Sequence, residues 1–122
     1  MKLHLANNHG RNAFTGYGEG FVMVNNLRYE KSLVVLPEHL HPDWSAVSLE
    51  SLSVQAIAEI SALHPEIVLL GTGFRQRFPH ASVFRALIDA GLGYEVMDNA
   101  AACRTYNVLM SEDRKVAAAL IL

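Results

Sequence analysis

The sequence has one cysteine, one tryptophan and four prolines among 122 residues, and each shortage excludes something. A lone Cys103 makes no intrachain disulfide and no cysteine-based metal cluster, so a disulfide-stapled secreted scaffold and a zinc ribbon are both ruled out. A reducing compartment is the expected setting. Charge is scarce and balanced: 18% of residues are charged, with 10 Lys and Arg against 12 Asp and Glu, a formal net charge of -2. That total draws the chain neither to nucleic acid nor to an anionic membrane surface, and basic residues do not interleave with aromatic ones over any length. The longest apolar runs, Ile67 to Leu70 and Val116 to Leu122, fall far short of the roughly 20 residues that a membrane helix requires. An integral membrane protein is therefore not expected. Residues 1 to 8 turn polar before an apolar stretch of signal-peptide length forms, and they lack the arginine-rich character of a transit sequence. A cytoplasmic protein is the expectation.

What is present is apolar: 51% hydrophobic residues exclude disorder and supply one substantial core. A single domain over residues 1–122 is expected. Phe14 to Gly20 carries three alternating glycines and reads as a turn or bulge, with regular structure beginning after it. Phe21 to Val24 and Leu27 to Tyr29 flank Asn25-Asn26 and predict an antiparallel hairpin, because asparagine tolerates the positive φ of a two-residue turn. Ser32 to Leu36 is a further strand stopped by Pro37, and a loop is expected from there to Pro42-Asp43, before Trp44 returns to the core.

From Ser53 strand and helix alternate. Val54, Ile57, Ile60 and Leu63 predict a helix over 53–63 with Ser53 as N-cap, ended by His64-Pro65. Glu66 to Leu70 is a strand apolar on both faces, hence internal to a sheet. Val83, Phe84, Leu87 and Ile88 predict an amphipathic helix closed at Gly91-Leu92-Gly93. Tyr94 to Met97 is a strand, Asp98 caps a third helix with Ala102, Tyr106 and Leu109 on one face, and Lys115 to Leu122 is the last strand. The order predicts an α/β fold: a mixed central sheet with largely parallel later strands, flanking helices and an N-terminal antiparallel hairpin layer.

Two stretches leave the carboxyl ends of predicted parallel strands, where ligands gather in open α/β sheets. The first is Gly71-Thr72-Gly73 with Arg75 and Arg77. Its glycines permit close backbone approach, and its arginines with the amides of the next helix are placed to hold a small anion. It is not a phosphate loop, because the lysine and hydroxyl residue after the second glycine are missing. A tight turn with solvated arginines explains the same residues. The second stretch offers Asp98, Arg104 and Asn107, the last two one turn apart on a shared face, expected to border the same crevice if the strands are neighbours. Capping by Asp98, ion pairing by Arg104 and backbone satisfaction by Asn107 explain them better, being the commoner uses of these residue types. Cys103, among alanines, reads as packed rather than nucleophilic. His39 and His41 share one side of an extended segment but lack a third metal ligand beyond Asp43, and no serine, histidine and acid are joined by a motif. No catalytic residue, metal or cofactor is assigned.

Gly71-Thr72-Gly73 with its arginines, the run from Glu95 through Leu109 and the ending Val116 to Ile121 together resemble the Mth938-like family of small α/β domains. The likeness spans roughly Phe14 to Ile121 in element order. Asn99 stands where that family usually has threonine, and Ser111 to Arg114 replaces a glutamate-glycine turn. The resemblance implies a central sheet with flanking helices, an added antiparallel layer and no agreed enzymatic activity. The family's eukaryotic relatives include a mitochondrial assembly factor for respiratory complex I and a cytosolic protein linked to adipocyte differentiation. The implied function is a noncatalytic protein-binding or assembly role, with a protein partner or homo-oligomer. The alternative is an anion-binding protein or enzyme using the crevice at Gly71–Arg77 and Asp98–Asn107.

Overall fold

The computed structural model describes residues 10–122. The sequence reading of residues 1 to 8 lies outside them. Chain order is β1 (Phe14–Gly18), β2 (Phe21–Val24), β3 (Leu27–Tyr29), β4 (Leu33–Leu36), β5 (His39–His41), α1 (Val54–Ser61), β6 (Ile67–Gly71), α2 (Ala81–Asp89), β7 (Gly93–Met97), α3 (Asn99–Ser111) and β8 (Val116–Leu120). β1, β2 and β3 form an antiparallel sheet, and the other strands form a second sheet in the order β5-β4-β8-β6-β7. Strands β8, β6 and β7 run parallel, while β4 is antiparallel to β8 and β5 to β4. The mixed sheet with parallel later strands and the antiparallel N-terminal layer are both as expected.

Local chemistry explains most turns. Asn25 and Asn26 have φ of 52° and 67°, the pair of left-handed residues whose turn matches the twist of a hairpin. Ser53 and Asp98 cap α1 and α3, accepting from the amides of Ala56 at 3.2 Å and Ala101 at 2.8 Å. Past α2 the chain turns at Gly91, whose φ is 73°, a conformation that glycine adopts without steric penalty.

Several expectations are corrected. Regular structure begins at Phe14: Gly16 and Gly18 lie within β1, which bulges between Phe14 and Gly16, and only Gly20, with φ of 81°, sits in the turn to β2. The expected loop between Pro37 and Pro42 contains β5, with His39 opposite Leu36. Pro37 ends β4 but serves as a hairpin turn residue, and β5 at the sheet edge tolerates the second proline after it. Val54 is 70% exposed. The buried stripe of α1 is Ala56, Ile57 and Ile60, and at 100° per residue Val54 lies about 110° round the helix from its centre. On α2, Val83 and Leu87 are buried while Ile88 is exposed.

The five-stranded sheet separates two apolar layers. On one face Val34, Val68, Leu70, Ala117 and Ala119 meet α1, α2 and the Trp44–Leu52 segment. Trp44 is buried and donates its Nε1–H to Ala56 O at 3.0 Å. On the other face Leu33, Val35, Leu69, Ala118 and Leu120 meet α3 and, beyond it, Phe14, Val22 and Val24 of the small sheet. β8, in the middle, is buried along its whole length. Three consecutive alanines there present little bulk to either layer, so the flanking elements can lie close to the central strand.

Candidate functional site

Parallel register makes three strands end level. Gly71 lies opposite Met97 on one side and Leu120 on the other, so Gly71 and Asp98 open on a common rim, as the sequence predicts. Asn99, the first residue of α3, ties the rim together. Its Oδ1 accepts from Gly73 N–H at 3.1 Å and its Nδ2 donates to Ile121 O at 2.8 Å, while its own N–H donates to Gly73 O at 2.8 Å. Sequence reasoning noted Asn99 only as a departure from threonine. The signal was its place directly after a helix cap at a parallel strand end.

The predicted site residues divide into two groups. Thr72 is buried, and its hydroxyl donates to Arg75 O at 2.9 Å and accepts from Arg77 N–H at 3.0 Å. It folds the turn upon itself, helped by Gly73, whose φ is 113°. Arg75 is exposed and its guanidinium has no partner among the described residues. Arg77 pairs with Glu50 and holds that carboxyl below the usual range. Asp98 caps α3. Arg104 and Asn107 do share a face, but that face meets β1 and not the rim. Arg104 Nη1 donates to Tyr17 Oη at 2.9 Å. Asn107 is buried with both amide atoms used, accepting from Phe14 N–H at 3.0 Å and donating to Phe14 O at 2.8 Å. At 1.5 Å per residue it stands roughly 12 Å along the helix from Asn99.

A shallow cleft of about 410 Å³ opens beside the rim, where Thr72, Gly73, Phe74 and Arg75 face the Val47–Glu50 segment and Ile121–Leu122. At the start of α2 two amides are already used: Ser82 N–H donates to His80 Nδ1 at 3.1 Å and Val83 N–H to His80 O at 2.9 Å. The lining is mixed: Glu19, Glu50, Arg75 and Arg77 share it with the exposed apolar residues Val47 and Phe74, and Phe78 follows in the same loop outside the lining. Val47 is 80% exposed, Phe74 65%, and Phe78, four residues on in the same loop, 77%. Sequence reading passed over these three, since burial of a loop residue has no periodic signature.

Elsewhere the chemistry is structural. Burial pushes the Cys103 thiol up to about 12, which keeps it protonated and poorly nucleophilic. Ser45, Glu59 and His41 come together, a grouping that no sequence motif announces. Ser45 Oγ donates to Glu59 Oε2, and His41 Nε2 lies 3.0 Å from Glu59 Oε1. The acid stands between serine and histidine, so the imidazole has no contact with the hydroxyl and the order needed to activate a nucleophile is not met. Among the described residues no group of three His, Cys, Asp or Glu side chains is arranged to hold a metal ion, and no helix is long and apolar enough to cross a membrane.

Comparison with known proteins supports the fold. A zebrafish (Danio rerio) protein, NADH dehydrogenase [ubiquinone] 1 alpha subcomplex assembly factor 3, is 38% identical over 104 residues, covering 84% of this chain and 59% of that protein. The chain thus spans little more than half the length of such assembly factors. A crystal structure of a Bordetella parapertussis protein superimposes with a TM-score of 0.83 at 34% identity, covering 96% of this chain and 98% of that one. A solution structure from Bordetella pertussis, described as a Mth938-like domain, gives 0.79 at 30% identity, covering 99% and 92%. The family described as "Protein of unknown function (DUF498/DUF598)" matches residues 14–121. With that match over nearly its whole described length, the chain belongs to the Mth938-like, DUF498/DUF598 family.

Proposed function

We propose that this protein acts without catalysis, binding another polypeptide at its strand-end rim and helping a multisubunit complex to assemble. The observation that carries the reading is the exposure of two apolar side chains in the cleft lining, Val47 and Phe74, with Phe78 also exposed four residues along the same loop. Exposed apolar side chains beside polar ones are a feature of protein-binding surfaces, and aromatic residues contribute disproportionately to their energy. Sequence likeness to respiratory assembly factors supports the assembly role. Its direct test is co-purification from native lysate with the wild type and with a Phe74→Ser/Phe78→Ser variant, each against an unrelated control. Subunits of a respiratory NADH dehydrogenase are expected with the wild type and are lost with the variant. If nothing is enriched over the control, or the variant captures the same protein equally well, the reading fails.

A second reading is favoured by Arg75. Its unpartnered guanidinium lines the cleft beside the Gly73 backbone, a setting suited to a carboxylate or phosphate. A thermal-shift screen of small phosphates and carboxylates tests it. Stabilisation that is lost in Arg75→Ala supports anion binding, because a ligand specific for the native state must raise apparent stability. No stabilisation, or the same stabilisation in the variant, removes that support.

A further inference from the structure

The face of the sheet opposite α3 carries a second surface, independent of the rim. There α1 and α2 leave a groove of about 600 Å³ between them, lined by the small side chains of Ala58, Ala62, Ala86 and Ala90. Small side chains on both walls let another helix approach closely, since interaxial distance is set by the bulk at the contact. Arg85 and Asp89 line the same groove. They lie one turn apart on α2, both exposed, and neither enters an ion pair with a described residue. Pairing within the helix is weakly favoured in this order, because a cation ahead of an anion opposes the helix dipole.

The geometry points to a homodimer in which α2 packs antiparallel against α2 of a second copy across this groove. What selects a second copy as the occupant is charge complementarity. In a twofold contact residue i meets j while j meets i. An antiparallel α2 pair centred at the level of Leu87 sets Arg85 of each copy opposite Asp89 of the other and closes two identical ion pairs. A parallel pair in register would oppose like charges instead. The same antiparallel register brings Ala86 of both copies to the middle of the contact, where little bulk separates the backbones.

Sedimentation velocity from low micromolar to near-millimolar concentration tests the proposal on four variants beside the wild type. The wild type is expected to dimerise. Arg85→Glu or Asp89→Arg alone is expected to raise the dissociation constant roughly tenfold or more, because each opposes like charges at two places. The double swap Arg85→Glu/Asp89→Arg is expected to recover the wild-type value, and Ala86→Gln to weaken the dimer by holding the helices apart. Arg85 and Asp89 are exposed and Ala86 is partly buried against the core, and circular dichroism verifies that each variant keeps its fold. A wild type monomeric throughout the range overturns the proposal. So does a dimer unmoved by both Arg85→Glu and Ala86→Gln, or a double swap that fails to recover what the single changes lose. Phe74→Ser/Phe78→Ser leaves dimerisation intact, so failure of the rim reading and failure of the dimer are separately visible.

Discussion

The amide of Asn99 lies directly over the α-carbon of Gly71. A Cβ added at Gly71 would stand 2.3 Å from Asn99 Oδ1 and 2.5 Å from Leu120 Cδ2, closer than any relaxed contact allows. Neither neighbour gives way easily, because Asn99 is held by Gly73 and Ile121 and Leu120 is fully buried. Gly71→Ala is therefore expected to destabilise the protein by about 1–3 kcal/mol, the range for overpacked cores. Urea unfolding measures it, and an unchanged midpoint would show that Asn99 does not clamp this strand end.

Asn107 and Arg104 are expected to respond very differently to truncation. Replacing Asn107 with leucine strips both partners from the buried Phe14 backbone, an expected cost of about 2–5 kcal/mol. Arg104→Ala loses an exposed contact to Tyr17 and is expected to shift stability by less than about 1 kcal/mol. Equal effects in the same unfolding assay would contradict the assignment of Asn107 to the β1 edge.

Glu59 supplies a pH dependence. Burial raises its pKa, but hydrogen bonds from Ser45 and His41 outweigh burial, and the net shift is downward from the ordinary value of 4.5. A carboxyl with a lowered folded-state pKa releases its proton more readily in the native state. Its stabilisation is thus present above the unfolded value and lost as pH falls through the folded one. Denaturation midpoints taken from about pH 6 down to pH 3 are expected to drop less steeply in Glu59→Gln than in the wild type. Parallel acid limbs in the two proteins would exclude this contribution.

Cys103 is expected to resist thiol reagents in the native protein and to react fully once denaturant unfolds it, since its thiolate is suppressed by burial. Labelling followed by mass spectrometry at mildly alkaline pH reads this directly. Rapid modification without denaturant would be incompatible with its packed position on α3.

Features set by neighbouring residues were legible in the sequence: the Asn25-Asn26 turn, the caps at Ser53 and Asp98, the glycine ending α2, and the shared rim of Gly71 and Asp98. Each depends on a few consecutive side chains or on strand direction alone. β5 was hidden because prolines on both sides imitate a loop, and only pairing with β4 makes an edge strand of it. Arg104 and Asn107 were placed on the right helical face, but what that face meets depends on where the small sheet packs. No local pattern encodes that. Val47, Phe74 and Phe78 were missed for a related reason: their exposure is decided by the outline of the folded surface.

The position of β8 has a consequence for biosynthesis. Residues 116–120 lie between β4 and β6, so the centre of the sheet leaves the ribosome after every other strand. Until then the hairpin of β4 with β5 and the parallel pair of β6 with β7 have no strand joining them, and each presents an open edge. Closure waits for the alanine-rich segment to insert between two preformed halves, and a nascent chain halted before Val116 would expose edges prone to pairing with other chains.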